Sequence, residues 1–193
     1  MQKIFTTSEP PSSFAEKNGL LFPKAPQKCP IPSCQMPIEM KKHGFYERYI
    51  ISHEYRGYIH IRRYLCPCCG RTVSYLPSFA IPYFQYAICY ILMFLNNFFQ
   101  AGKSLRQYIF WFQKKKDDFS RRHFRYYITR LYRNRKLIQY VFNLTGHGMI
   151  PEEDALSSQM FAKEFLRKAL KLQPHNFSSR FHNLTGKSIL APN

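Results

Sequence analysis

Four of the six cysteines in this 193-residue chain fall into two close pairs, Cys29 with Cys34 and Cys66 with Cys69. Zinc takes four soft or borderline ligands at the corners of a tetrahedron, and two pairs on tight turns supply them without straining the chain. Cys66, Pro67, Cys68, Cys69 and Gly70 have the usual two-residue bite, and Gly70 allows the turn that points backbone amides at sulfur. Cys29 and Cys34 are separated by four residues, a wider spacing within the structural range, and prolines stiffen that turn. Spare buried thiols or a disulfide pair are the competing account. A reducing compartment argues against disulfides, and chance rarely sets two close pairs around a strand region. A single-residue spacing makes a poor bite, so Cys68 is expected beside the site and not in it. Cys89 lies in an apolar stretch and reads as core packing. His43, His53 and His60 fall on or beside expected strands and read as surface or pairing residues. Four cysteines leave no open coordination position for water, so the expected cofactor is one structural zinc ion.

The second chemistry is that of charge. Lys and Arg number 29 against 11 Asp and Glu, and a zinc tetrathiolate would still leave a net charge of about +16. Between Lys103 and Lys136 there are twelve Lys or Arg and two acids, a surplus of ten in a sixth of the chain. At about 100° per residue, Phe124, Tyr127, Ile128 and Leu131 share one arc of a helix, opposite Arg122, Arg125, Tyr126, Thr129, Arg133 and Lys136. One face packs and the other is nearly all donors. Such a helix fits the major groove, where arginine bonds two acceptors on guanine while neighbouring cations meet phosphates. The DNA-contacting residues are therefore expected to be Arg121, Arg122, Arg125, Tyr126, Thr129, Arg133 and Lys136. A solvated basic helix on a globular domain is the plain alternative, and stacking on Tyr126 keeps RNA or single-stranded DNA open as targets.

The elements that must position these residues follow from pattern. Residues 1–27, rich in Pro, Ser and Lys, read as a flexible arm. Residues 28–82 read as a zinc ribbon. Its first strand lies around Phe45 to Ile51 and its second over Tyr58 to Leu65, where Tyr58, His60, Arg62 and Tyr64 alternate with Ile59, Ile61, Arg63 and Leu65; a third covers Arg71 to Leu76. Beyond Pro82 the period becomes helical. Residues 83–146 are expected to form a helix-turn-helix domain: a helix from about Tyr83 to Phe99, one opened by a capping box of Ser104 and Gln107, and one from Ser120 to about Gly146 with Phe119 and Phe124 as a hydrophobic staple. Residues 147–193 read as a last helix, begun after Pro151 by Glu152, Glu153 and Asp154 and ended by Pro174, with a tail. The fold class expected is α+β, a small amino-terminal β zinc ribbon followed by an all-helical helix-turn-helix domain.

The start of the chain lacks the apolar run of a secretory signal, and the apolar stretch from Tyr86 to Leu95 is too short for the ~20 residues of a membrane span. The expected location is the cytoplasm, with no membrane partner.

The segment from Cys29 to about Gly146 resembles a bacterial family of unknown function in which an amino-terminal zinc ribbon precedes a helix-turn-helix, described as transposase-like or transposase-associated. The resemblance is carried by the cysteine pairs, the Gly44, Phe45, Tyr46, Arg48 strand and the Ile61, Arg62, Arg63, Tyr64, Leu65, Cys66 strand. The Cys69, Gly70, Arg71, Thr72 knuckle, the Leu76, Pro77, Ser78, Phe79 stretch with Pro82 and Tyr83, and Ser104, Leu105, Arg106 complete it. It implies double-stranded DNA as partner, a role as accessory or regulator of a mobile genetic element in transposition or DNA recombination, and a transposase or integrase encoded nearby.

A protein-interaction adaptor for a recombinase is a different reading of the same elements. An enzyme is a third, and it would use paired carboxylates to hold two magnesium ions. Only Asp117, Asp118, Glu152, Glu153 and Asp154 cluster after the ribbon, and helix capping or the macrodipole accounts for them. No catalytic residue is expected.

Overall fold

The computed structural model describes residues 1–17, 20–113, 119–145, 157–172 and 174–190. They form a mixed α+β structure that divides into two compact units, Met1–Ile88 and Cys89–Asn193.

The first unit is built on strands β1 (Gln2–Phe5), β2 (Lys41–Ile51), β3 (Arg56–Leu65) and β4 (Thr72–Pro77), in the order β1-β4-β3-β2. The pairs β2/β3 and β3/β4 are antiparallel, and β1 joins β4 in parallel. A register shift between Lys42 and Phe45 marks a bulge, where Gly44 adopts φ 74°. Glycine takes this left-handed conformation at no steric cost, and the extra residue twists the strand end. Ile50, Ile59, Ile61 and Leu76 are fully buried, as the alternation of a half-covered sheet requires.

Residues 1–27 are not a flexible arm throughout. β1 extends the sheet, and helix α1 (Pro11–Glu16) follows it. Phe14 meets Phe79 edge-on with ring centroids 5.5 Å apart and Phe22 at 5.4 Å. Ile4 and Phe14 are buried. Truncating a buried ring leaves a void that the surroundings fill only in part. Phe14→Ala is expected to cost about 3–5 kcal/mol and to lower the melting temperature by more than about 10 °C; melting followed by circular dichroism checks this, and an unchanged curve would restore the flexible arm.

The helical period also begins later than the sequence suggests. The first helix, α2, spans Ile88–Gln100 instead of starting near Tyr83. Tyr83 has φ 69°, which no helix accommodates, and the segment before α2 is tied to β2: Arg48 donates to the carbonyls of Ile81 and Phe84, and the Ile51 amide to the carbonyl of Gln85 at 2.9 Å. Burial holds the Arg48 guanidinium below its usual pKa.

The second unit is helical: α3 (Leu105–Gln113), α4 (Arg121–Arg133), α5 (Arg135–Leu144), α6 (Ser158–Lys171) and α7 (Pro174–Thr185) follow α2. Its first half packs around aromatic rings. Phe94 stacks on Phe119 at 4.3 Å and lies 5.0 Å from Phe124, which meets Tyr108 of α3 edge-on at 5.6 Å. In its second half, Phe142 of α5, Phe165 of α6 and Phe177 of α7 converge at 5.2 to 6.0 Å. Each such ring contributes about 1.5–3 kcal/mol through burial.

Three helix boundaries differ from expectation. The helix expected from Ser120 to Gly146 breaks at Asn134, whose buried side-chain amide donates to the carbonyl of Ile189 at 2.7 Å. The helix expected after Pro151 is α6, which begins at Ser158, capped by the Ser157 hydroxyl accepting from the amide of Met160. That helix ends at Lys171, before Pro174 as expected, but Pro174 then opens α7 where a tail was expected, since proline lacks only an amide that a helix start leaves unpaired. Glu152, Glu153 and Asp154 lie outside the described residues. No helix among the described residues is long and apolar enough to cross a membrane.

Candidate metal centre and nucleic-acid interface

Two turns bring the paired cysteines together. In the first, the carbonyl of Ile31 accepts from the amides of Cys34 and Gln35, at 2.9 and 3.1 Å, and the Cys29 amide donates to Met36 at 2.9 Å. In the second, the amide of Gly70 donates to the carbonyl of Cys66 at 3.0 Å, with Gly70 at φ 66° closing the turn before β4. Arg71 spans the two turns by donating to the Ser33 hydroxyl at 3.2 Å.

The sulfurs of Cys29, Cys34, Cys66 and Cys69 all lie within 4.8 Å of one another. Cys29 faces Cys69 at 3.9 Å and Cys34 faces Cys66 at 3.9 Å, so each turn contributes to both contacts. A tetrahedral zinc site with bonds of about 2.3 Å has sulfur–sulfur edges of roughly 3.8 Å. Two of the six edges come close to that value and all lie within 4.8 Å, so the four cysteines, all free thiols, are placed where they could hold one metal ion. Cys29 and Cys66 are buried, with Ile31, Met40, Tyr64 and Val73 around them.

The two buried thiols are driven in opposite directions. Burial, reinforced by the neighbouring sulfurs, pushes Cys29 up to about 12. The backbone amides of Cys69 and then Cys68 aim at the Cys66 sulfur and bring it down to about 7, against the opposing effect of burial. A bound cation holds such ligands as thiolates. The shell suits a structural metal, because four protein sulfurs leave no position for substrate or water.

Cys68 is exposed and outside the cluster, as its poor bite implies, and Cys89 on α2 takes no part in it. None of the three histidines considered with the cysteines joins the cluster; His60 lies beside Glu47, with a nitrogen–oxygen distance of 3.7 Å.

The basic residues of α4 present a second surface. Phe124, Tyr127 and Leu131 are buried, whereas Arg121, Arg122, Arg125, Tyr126, Thr129 and Arg133 are exposed. Ser120 caps the helix by accepting from the amide of His123, and His123 Nδ1 accepts from the Ser120 amide in return. Phe119 and Phe124 form the expected staple at 5.8 Å. Arg130 lies over the Tyr126 ring at 5.0 Å, stiffening that aromatic side chain. Lys136 is exposed but belongs to α5, beyond the break at Asn134, so the seven expected contacts do not share one continuous helix. The capping box of Ser104 and Gln107 opens α3, with the Gln107 side chain accepting from the Ser104 amide at 3.0 Å. Asp117 and Asp118 lie outside the described residues.

Sequence reasoning did not single out the pairing of Tyr49 with Tyr58 across β2 and β3 or the Arg62 guanidinium 3.7 Å above the Phe45 ring. The alternation of Tyr58, His60, Arg62 and Tyr64 was the available signal.

Neither curated proteins nor solved structures give a match to the chain. Residues 29–106, which hold all four clustered cysteines and end at the start of α3, match the model of a family described as Domain of unknown function (DUF6431).

Proposed function

We propose that the protein is a zinc-dependent binder of double-stranded DNA, with the basic face of α4 as its reading element and the tetrathiolate site as the structural clamp of its sheet unit. The observation that carries this reading is the exposure of Arg122, Arg125 and Arg133 on a helix whose opposite face is buried. Arg121 and Arg122 occupy the first turn of α4, where the positive end of the helix dipole opposes cations by about 0.3–1 kcal/mol each. A local cost of this kind is expected where an anionic ligand offsets it. With α3 packed on it through Tyr108 and Phe124, α4 takes the part of the second helix of a helix-turn-helix.

The resemblance to transposase-associated proteins extends the proposal to an accessory or regulator of a mobile genetic element, with a transposase or integrase as partner. Titration of a labelled duplex at several salt concentrations tests the reading. Affinity that falls steeply with salt supports it, and absent or salt-insensitive binding contradicts it.

The reading assigns no catalysis to this chain. Strand cleavage needs carboxylates on rigid elements holding two metal ions about 4 Å apart, and the sequence clusters only five acids after the cysteine pairs. Supercoiled plasmid incubated with the protein and magnesium or manganese is expected to stay intact. Cleavage that disappears when Asp117, Asp118, Glu152, Glu153 and Asp154 are all replaced by alanine would make the chain an enzyme.

A further inference from the structure

The β2–β3 hairpin carries an aromatic and cationic face that the duplex reading leaves unused. Along it three consecutive cross-strand pairs point the same way: Phe45 with Arg62, Glu47 with His60, and Tyr49 with Tyr58. Their contacts establish the shared side. The Tyr49 and Tyr58 rings meet edge-on at 5.1 Å, the Phe45 ring meets His60 at 6.1 Å, and Arg62 lies 3.7 Å above the Phe45 centroid; the Phe22 ring packs on Phe45 at 6.0 Å, so the open end of the face is that of Tyr49 and Tyr58. Tyr58 is 60% exposed although aromatic and on a strand. Its position is fixed by the Tyr55 hydroxyl, which donates to the Tyr58 carbonyl at 2.9 Å. Arg56, two residues before Tyr58 on the same face, is exposed as well. The platform's own side thus carries Arg56 and Arg62 against one acid, Glu47, whereas Arg48 and Arg63 alternate to the opposite side.

We propose that this face, centred on Tyr58 and Tyr49, is a stacking platform for the bases of an unpaired polynucleotide strand. Three physical features support that occupant over an apolar protein surface. Rings held by cross-strand contacts lose little entropy when a base stacks on them. The flanking cations complement a phosphate backbone, and an apolar partner would leave them desolvated. Successive pairs on one face recur about every 6.6 Å along a strand, roughly twice the 3.4 Å rise per nucleotide of a stacked helix. Bases must therefore separate to use the platform, which single strands do and a duplex does not. The proposal extends the nucleic-acid reading to a second site of different chemistry, on a different unit from α4.

The test uses the full-length, metal-loaded protein and three labelled probes of about 12 nucleotides, within the span of known single-strand sites: oligothymidylate, oligouridylate and a duplex. Anisotropy titrations are expected to show Tyr58→Ala weakening single-strand binding by about tenfold, in keeping with the usual worth of one stacked base. Tyr58→Phe keeps the ring and should stay within about twofold of the parent, a rescue expected of stacking. Duplex affinity should be unchanged in both variants. The single strand bound more tightly identifies DNA or RNA as the source. Failure of the parent to bind either single strand, equal affinity of parent and Tyr58→Ala, or equal losses in the alanine and phenylalanine variants would each overturn the proposal. Absent duplex binding together with Tyr58-dependent strand binding would instead overturn the duplex reading and leave this one standing.

Discussion

Protein purified without added metal is expected to carry one zinc ion per chain and to lose the order of its cysteine turns when a strong chelator removes it. Four cysteine sulfurs within 4.8 Å of one another can all be thiolates only around a cation, because like charges at that range repel and burial alone keeps Cys29 protonated. Structural zinc sites in small peptides are worth about 10–16 kcal/mol at neutral pH, more than the whole stability of most domains. Loss of the ion should therefore expose the cluster of Ile31, Met40, Tyr64 and Val73 packed around Cys29 and Cys66. Elemental analysis gives the stoichiometry, and hydrogen exchange locates the change in residues 28–40 and 64–73. Cys66→Ser combined with Cys69→Ser should abolish metal retention, whereas Cys68→Ser, outside the cluster, should keep a full equivalent. A stoichiometry well below one in the parent, or full occupancy in the double variant, contradicts the tetrathiolate assignment.

Simultaneous replacement of Arg122, Arg125 and Arg133 by alanine is expected to weaken duplex binding by an order of magnitude or more. All three are exposed on α4 and none belongs to its buried face, so the fold should survive the change. If each arginine neutralises one phosphate, the slope of log affinity against log salt should fall by about 0.9 per contact, or about 2.7 in all. Lys168 and Lys171, in the last turn of α6, serve as the control. Lys168 lies 3.2 Å from Glu164, already occupied with a carboxylate. Alanine at both should change duplex affinity little. Equal losses from the two sets would mean that the charge attracts DNA without reading it.

The cysteine site was legible in the sequence because its signal is local: each pair sits within one turn, and spacing alone implies the bite. What spacing could not supply was the crossed arrangement, Cys29 against Cys69 and Cys34 against Cys66, a relation between turns more than thirty residues apart. The capping box of Ser104 and the staple of Phe119 and Phe124 were legible for the same reason, being relations between residues three to five apart. β1 was not, since four residues show no period and its partner β4 is about seventy residues away, with Ile4 beside Leu76. Nor was the break at Asn134. Apolar residues continue at helical spacing from Leu131 to Ile138, and the interruption lies in the backbone of Asn134, at φ −89° and ψ 5°, whose side chain is tied to the Ile189 carbonyl far along the chain. Pro174 marks the end of α6 legibly but not the start of α7, because proline suits a helix start as well as a loop after a helix end; Phe177 and Phe181, four residues apart and both buried in α7, carry the helical signal.

The claim that α4 reads double-stranded DNA is tested most directly by selection from a randomised duplex pool, with the metal-loaded protein as bait and sequencing of the bound fraction over successive rounds. The account predicts that the parent protein enriches a defined sequence and that the variant with alanine at Arg122, Arg125 and Arg133 does not, because bidentate arginine contacts to guanine each discriminate by about 1–3 kcal/mol. A bound pool as random as the input, or the same enrichment from parent and variant, would contradict it.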